Sequence, residues 1–476
     1  MYTKLGMFIG GKWIYETECG CGEDVLNPAD ESVLGFLPHA SEYHLDDAIK
    51  SSEIGFDQWK NTDPDKRSQI ILKAADILAE RTSQISKVMT LEQGKPLAES
   101  VGEINQSIAI LKFNGTNAKL IKDELVADRD NGLKTFIKPQ PLGICLCLTA
   151  WNFPIALVIR KIAPALAAGC SVIIKPSEET PGTAIEVVKI FQEAGLPKDV
   201  INLVFGVPHE ISDYLLSRDE VKKISFTGSV PVGKLLAKKS AETLKRCTLE
   251  LGGHSPAIIA EDADIEQTLD ILTGFKFRNA GQVCIAPSRF YVHEKIYDKV
   301  RDGFVSRLNK IKLGNGISDG VTMGPLSNSR RIAAMQDFVD DAVKNGSNIL
   351  CGGNRLKNIG YFWEPTIIEN IHEDSKIMDQ EIFGPILPLF KFNDYDDVIA
   401  KANSLNYGLA SYVYTASETL QNKMAKEIIA GGVSINTAAP MHPEIPYGGI
   451  KESGIGYEGG MDAIYSYIHK KNINII

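Results

Sequence analysis

The chain of 476 residues contains no Cys-x-x-Cys pair. Its two Cys-x-Cys pairs have no histidine or cysteine partners at zinc-ligand spacing, so no metal site is expected. No apolar core of signal-peptide length stands in the opening MYTKLGMFIGGKW, which makes reduced thiols and a cytoplasmic setting the expectation. Charge of one sign never accumulates in a long run, and the formal net charge of −9 argues against nucleic acid as a partner. Uncharged stretches are short apart from 139–159, and Pro141, Pro154 and Asn152 interrupt that one. It reads as strand, turn and buried helix, with no membrane partner implied. Internal repeats and low-complexity linkers are also missing.

What is present is ordinary globular composition, 44% hydrophobic and 23% charged, at a length of about three domains. From about 143 to 260 short apolar runs alternate with helix-like segments: GICLCLTA, SVIIK, INLVFG, KKISFTG and RCTLELGG. Uninterrupted apolar strands separated by helices predict a parallel sheet covered on both faces, of the doubly wound dinucleotide type. A second α/β series opens with SPAIIAE and continues through SRFYVHE, ILPLFKF and ASYVYTA. The tail YSYIHKKNINII alternates like an edge strand that needs a partner from another region or another chain.

A literal G-x-G-x-x-G, at Gly454, Gly456 and Gly459, follows no clear strand and leaves too little chain for the rest of a dinucleotide motif. A better phosphate contact is SFTGSVPVG, where a strand ends at Thr227, Gly228 and Ser229 turn, and a helix begins. Exposed N–H groups at such a helix start receive anions. Beyond the second strand, Lys175 is followed by Glu178, placed to accept from ribose hydroxyls. Glu178 can equally be an acid complementing a helix N-terminus, and Glu179 is expected to be solvated.

In FRNAGQVCIAPS a single cysteine, Cys284, follows a Gly-Gln pair. Cys145, Cys147 and Cys170 lie in apolar stretches and read as small core residues. Around Cys284 the chain resembles the aldehyde dehydrogenase superfamily. The resemblance rests on seven stretches in the family's order: TAWNFP, KPSEETP, SFTGSVPVG, LELGGHSP, FRNAGQVC, EIFGP and PYGGIKESGIG. It implies a Rossmann-like cofactor domain (1–118 and 141–252), a second α/β catalytic domain (253–460) and a small oligomerisation element (119–140 and 461–476). It further implies a homo-oligomer, a dimer or a dimer of dimers.

The same resemblance assigns roles. Cys284 would be the nucleophile, Glu250 the base for hydrolytic water, and Asn152 with the Cys284 N–H the oxyanion hole. Glu458 matches a second glutamate of a proton relay. NAD, with NADP as the alternative, would lie along Trp151, Lys175, Ser177, Glu178, Gly228, Ser229, Gly233, Glu381 and Phe383. The chemistry needs these types: a thiolate attacks the aldehyde, donors hold the alkoxide, and a carboxylate activates water against the thioester. Without the resemblance, Asn152 before Phe-Pro reads as a turn former, Glu250 as a solvated strand end and Glu458 as structural. Ala150, His254 and Tyr457 depart from the family's usual residues, and none is expected to touch the chemistry. Ala286 excludes a Cys-x-Cys redox pair with Cys284.

Arg160 and Arg278 match two arginines that succinate-semialdehyde dehydrogenases use for the substrate carboxylate, a fork-to-fork fit for a guanidinium. Each alone reads as a structural ion pair. His442 stands where that group often has serine, which leaves chain length open among succinic, glutaric and 2-oxoglutaric semialdehydes, with lactaldehyde a further substrate alternative. The competing functions are a coenzyme A-acylating relative, a non-catalytic dinucleotide-binding relative, and a cysteine hydrolase, for which no histidine base is signalled.

Overall fold

The computed structural model describes residues 2–17, 20–356, 358–438 and 441–476. Five parallel strands lie side by side in the order Arg246–Glu250, Val221–Thr227, Ile144–Leu148, Ser171–Lys175 and Ile201–Leu203. Antiparallel strands extend both edges: Met7–Ile9 and Lys12–Ile14 on one side, Gly454–Ile455 on the other. Among the five parallel strands the chain starts in the middle, at Ile144–Leu148, runs to one side and then crosses to the other. The reversal lies between Ile144–Leu148 and Val221–Thr227, and ligands of such sheets bind outside the carboxyl ends at that point. ICLCL and SVIIK are buried at every position, as strands covered on both faces must be.

Helix Pro154–Ala168 is also buried at every position, which makes its two cations, Arg160 and Lys161, dependent on internal partners. Pro154 opens it and Gly169, at φ 96°, closes it in the left-handed region. Its start carries no side-chain cap of its own. Glu103, from the neighbouring helix Leu97–Asn117, substitutes: its Oε1 accepts the N–H groups of Ile155 and Ala156, both at 3.1 Å. The other carboxylate oxygen takes the Lys95 ammonium at 2.5 Å, and Lys95 also donates to the Asn152 carbonyl at 2.8 Å.

A second sheet has the order Asn348–Cys351, Thr366–Glu369, Ile386–Phe392, Pro287–His293, Ser255–Ile259, Ala410–Tyr414, Gly432–Ile435. All neighbours are parallel except the first pair. The third sheet is antiparallel, Ile468–Ile475 against Lys134–Pro141 against Glu124–Asp128. The alternating tail thus finds its partner within its own chain, while Leu125, Val126 and Ile475 remain exposed on that sheet. The α/β class is as expected. The thiols are not all reduced: Cys21 is disulfide-bonded, whereas Cys145, Cys147, Cys170, Cys247, Cys284 and Cys351 are free. Among the described residues no helix is long and apolar enough to cross a membrane.

Removing one partner of a fully buried, hydrogen-bonded ion pair strands the other charge, at a cost of about 3–5 kcal/mol. Glu103→Ala should therefore lower the unfolding free energy by about that amount in chemical denaturation. A loss below about 1 kcal/mol would remove Glu103 from its place as helix cap and counter-ion.

Candidate active site

Two cavities meet at Cys284. The first, of about 510 Å³, opens outside the sheet reversal and is lined by Trp151, Gly228, Ser229, Glu381 and Phe383 among others. The second is narrower and lined by Phe153, Arg160, Arg278, Met441, Tyr447 and Glu458 among others. Asn152, Thr227, Glu250 and Cys284 line both. The sulfur therefore has a dinucleotide-sized cleft on one side and a closed, cation-bearing cavity on the other.

The turn that presents Cys284 is strained and locked. Asn279, Ala280 and Gly281 have φ of 50°, 52° and 73°, three left-handed residues in succession. Two of the three carry a Cβ, a cost that the surroundings must hold in place. The Asn279 N–H donates to Glu99 at 2.8 Å, its amide oxygen accepts from Gln93 at 2.8 Å, and its Nδ2 donates to the Asn152 carbonyl at 2.9 Å. A Cβ on Gly281 would stand 2.2 Å from the Gly384 carbonyl, so only glycine fits where this turn crosses the EIFGP segment.

Glu250 ends the strand Arg246–Glu250 and is 2% exposed. Burial, reinforced by the nearby Glu458 charge, pushes its carboxyl up to about 7. Burial and the Glu250 charge push the Cys284 thiol well above its ordinary range. The Tyr447 hydroxyl touches both groups, 3.4 Å from the Cys284 sulfur and donating to Glu250 Oε1 at 3.2 Å. Glu458 is ion-paired with Lys161 deep in the protein, and its second oxygen, Oε2, is buried without a partner. Asn152 is 4% exposed, and its Nδ2 donates to the Gln282 carbonyl at 3.2 Å.

Ser229 lines the first cavity and precedes helix Val230–Ala241 without capping it, which leaves that helix start open for an anion. Gly233 lies away from that lining and packs the helix on the sheet, where a Cβ would meet Leu251 at 2.4 Å. Glu381, pushed up to about 7 by burial, accepts the Gly253 N–H at 3.2 Å. Phe383 stands edge-on to Trp151 at 5.6 Å. Lys175 ends the adjacent strand and Ser177 and Glu178 follow it, all three outside the first cavity's lining. There Glu178 pairs with Lys175 at 2.5 Å and accepts the Gly206 N–H at 3.2 Å. These groups suit a dinucleotide: an open helix start, aromatic walls and half-buried carboxylates.

Arg160 and Arg278 both line the second cavity. Arg160 is 4% exposed, and its Nε and Nη2 are buried without partners. Arg278 lies over the Phe153 ring at 5.1 Å. His442 is exposed in an adjoining groove beside Arg278 and does not line the cavity that holds Cys284.

One expectation needs correction, that for Glu179. Glu179 is not solvated: it is half-buried, ion-paired with Arg330 and bonded to Asn328 Nδ2 at 3.0 Å. Of the three departures from the family's usual residues, Ala150 lines the first cavity. His254 is buried, bonded to Ser288 and the Ile377 carbonyl, and pushed down to about 3 by burial. Sequence reasoning missed Tyr447, Asn328, Arg330 and Arg331. The last three open helix Ser329–Lys344 at the first cavity, and only the GPLSNSRR turn signal before that helix hinted at them.

A family model described as the aldehyde dehydrogenase family matches residues 13–473. An NADP(+) succinate-semialdehyde dehydrogenase of Escherichia coli (strain K12) is 35% identical over 463 residues, which is 97% of this chain and 96% of that protein. A 3-sulfolactaldehyde dehydrogenase of Pseudomonas putida is 34% identical over 470 residues, 99% of this chain and 96% of that protein. The crystal structure of succinate-semialdehyde dehydrogenase from Burkholderia pseudomallei superimposes with a TM-score of 0.97 at 34% identity, covering 99% of this chain and 98% of that one.

The raised Glu250 carboxyl has a consequence for stability. A group whose folded pKa exceeds its unfolded value contributes stability that is complete below about pH 4.5 and lost as pH rises through about 7. Glu250→Gln cannot ionise and escapes that loss. It should be more stable than the parent by roughly 1–3 kcal/mol at about pH 8.5 and about equal near pH 4.5, read by chemical denaturation. An equal difference at both values would contradict the buried, uncompensated carboxylate.

Proposed function

The chain belongs to the aldehyde dehydrogenase family, and from that premise we propose that it oxidises a short aldehyde with a terminal carboxylate, succinic semialdehyde first. The product is the matching acid. The observation that carries this reading is Arg160, buried with two unpartnered guanidinium nitrogens in the cavity that ends at Cys284. A buried guanidinium without partners is costly, and a substrate carboxylate in its fork supplies them. Arg278 adds a second cation on the same wall. Succinate-semialdehyde and sulfolactaldehyde, the substrates named for two relatives, both pair an aldehyde with an anionic group.

With the carboxylate held at the arginines, the aldehyde carbon reaches the sulfur. The Cys284 thiolate adds to it, forming the C–S bond as the carbonyl electron pair moves to oxygen. The Asn152 amide, with the Cys284 N–H, holds that alkoxide, and each such donor is typically worth ~3–4 kcal/mol. NAD or NADP, when bound, supplies the hydride acceptor. Collapse of the alkoxide expels hydride and leaves a thioester on Cys284. Glu250, with a pKa of about 7, then takes a proton from water, whose oxygen displaces the sulfur and releases the acid. Glu458, paired with Lys161, is assigned to moving that proton onward.

NAD is the proposed acceptor, with Trp151, Gly228, Ser229, Glu381 and Phe383 along its cleft and Lys175, Ser177 and Glu178 at its ribose end. A carboxylate at Glu178 favours ribose hydroxyls and repels a 2′-phosphate, although one relative is an NADP(+) enzyme. His442 is assigned to the cavity entrance. We place the cofactor domain at 1–118 and 141–252 and the catalytic domain at 253–460, with 119–140 and 461–476 joining cytoplasmic homo-oligomers through the exposed Leu125, Val126 and Ile475.

A charged-group hydrogen bond is worth ~1.5–3 kcal/mol, or about ten- to a hundredfold in rate. Arg160→Ala and Arg278→Ala should each lose about that factor in kcat/KM for succinic semialdehyde and little for butanal. Equal losses on both aldehydes, or a parent enzyme that prefers butanal, would return the arginines to a structural role. In the same assay, kcat/KM should be higher with NAD than with NADP, and the reverse order would refute the reading of Glu178.

A further inference from the structure

Among the described residues, Tyr447 is the one hydroxyl in contact with both the Cys284 sulfur and the Glu250 carboxylate. We propose that it is a catalytic proton carrier, passing the thiol proton to Glu250 before attack; the inference rests on the reading of Cys284 as nucleophile. An ionised carboxylate can only accept, so the tyrosine proton points to Glu250 Oε1 and leaves the phenolic lone pairs for the thiol. The S–H bond then breaks with its electron pair kept on sulfur, and that proton bonds to the Tyr447 oxygen. The phenolic proton meanwhile bonds to Glu250. Tyrosine is neutral before and after, one carboxylate becomes a carboxylic acid, and one thiol becomes a thiolate; Glu250 then passes that proton onward by way of Glu458 before it serves as base to water.

Electrostatics favours this route. Release of the thiol proton to solvent would set a second negative charge beside Glu250 in a dry site, whereas the transfer keeps the trio at one charge. Burial holds Tyr447 itself far above the range where it would ionise, as a neutral carrier requires. Its place is fixed on both sides. Reciprocal backbone bonds of 2.6 Å tie Tyr447 to Glu458, and the Arg160 guanidinium lies 5.5 Å from its ring centre. The remaining ionisable groups that act on the trio are Glu458 and Lys161 beside Glu250, and Glu381 and Tyr412 beside Cys284. Tyr412 is committed elsewhere, donating to the Ile285 carbonyl at 2.8 Å, so the competing path is direct transfer, because the Cys284 and Glu250 side chains also interact with each other.

Tyr447→Phe keeps the ring and removes only the oxygen. Iodoacetamide alkylation, followed at Cys284 by peptide mapping from about pH 6 to about pH 10, reads thiolate supply without any aldehyde. The variant's midpoint should move to higher pH, with alkylation at least ~tenfold slower near neutrality and the parent's rate regained in alkali. Thermal stability and NAD binding should match the parent. With succinic semialdehyde, the first-turnover NADH burst should show the same alkaline rescue. An unmoved midpoint, or a loss equal at every pH, would overturn the carrier role. A parent enzyme that gives no NADH burst with any aldehyde would overturn the proposed function, and the alkylation comparison would still decide for or against the tyrosine.

Discussion

Glu103, a carboxylate with no exposed surface, binds the first two free N–H groups of helix Pro154–Ala168 and the ammonium of Lys95. Through Lys95 the same cluster holds the Asn152 carbonyl, and Asn279 Nδ2 holds that carbonyl from the other side. One buried pair thus fixes three parts of the site together: the amide that faces the sulfur, the helix that carries Arg160 and Lys161, and the strained turn before Cys284. Charges this deep persist only when every polar atom is engaged. Arg160 and Glu458, each with buried atoms that lack a partner, depart from that rule, and both line the second cavity.

The sheets explain why the sulfur stands where it does. The reversal in the first sheet leaves a crevice between the ends of Ile144–Leu148 and Val221–Thr227, where a dinucleotide is expected. Cys284 belongs to the second unit, three residues before the strand Pro287–His293. Cys284 and Glu250 therefore come from different parts of the fold and meet only in the assembled chain. Burial keeps both Glu250 and Cys284 protonated more readily than in water. That suits groups that exchange protons with each other in preference to solvent.

Much of this was legible in the chain. Apolar runs such as SVIIK gave the parallel strands, and the resemblance at FRNAGQVC and LELGG marked residues that the structure brings together. The glycines at 454, 456 and 459 were rightly refused as a phosphate loop: Gly454–Ile455 forms an antiparallel edge beside the strand of Glu250. Tyr447 was not legible, because its contacts with Glu250 and Cys284 span 197 and 163 residues and no local pattern encodes them. Glu179 was misjudged for a similar reason, since Arg330 reaches it across 151 residues.

The central claim is a covalent acyl group on Cys284. It is tested most directly by acid-quenching Glu250→Gln after mixing with succinic semialdehyde and NAD at about pH 10, where the thiol ionises without a carboxylate to accept its proton, then mapping the adduct by peptide mass. The account predicts one succinyl group, on Cys284, accumulating in step with one equivalent of NADH. NADH formed without any adduct on Cys284, or an adduct confined to another cysteine, would contradict it.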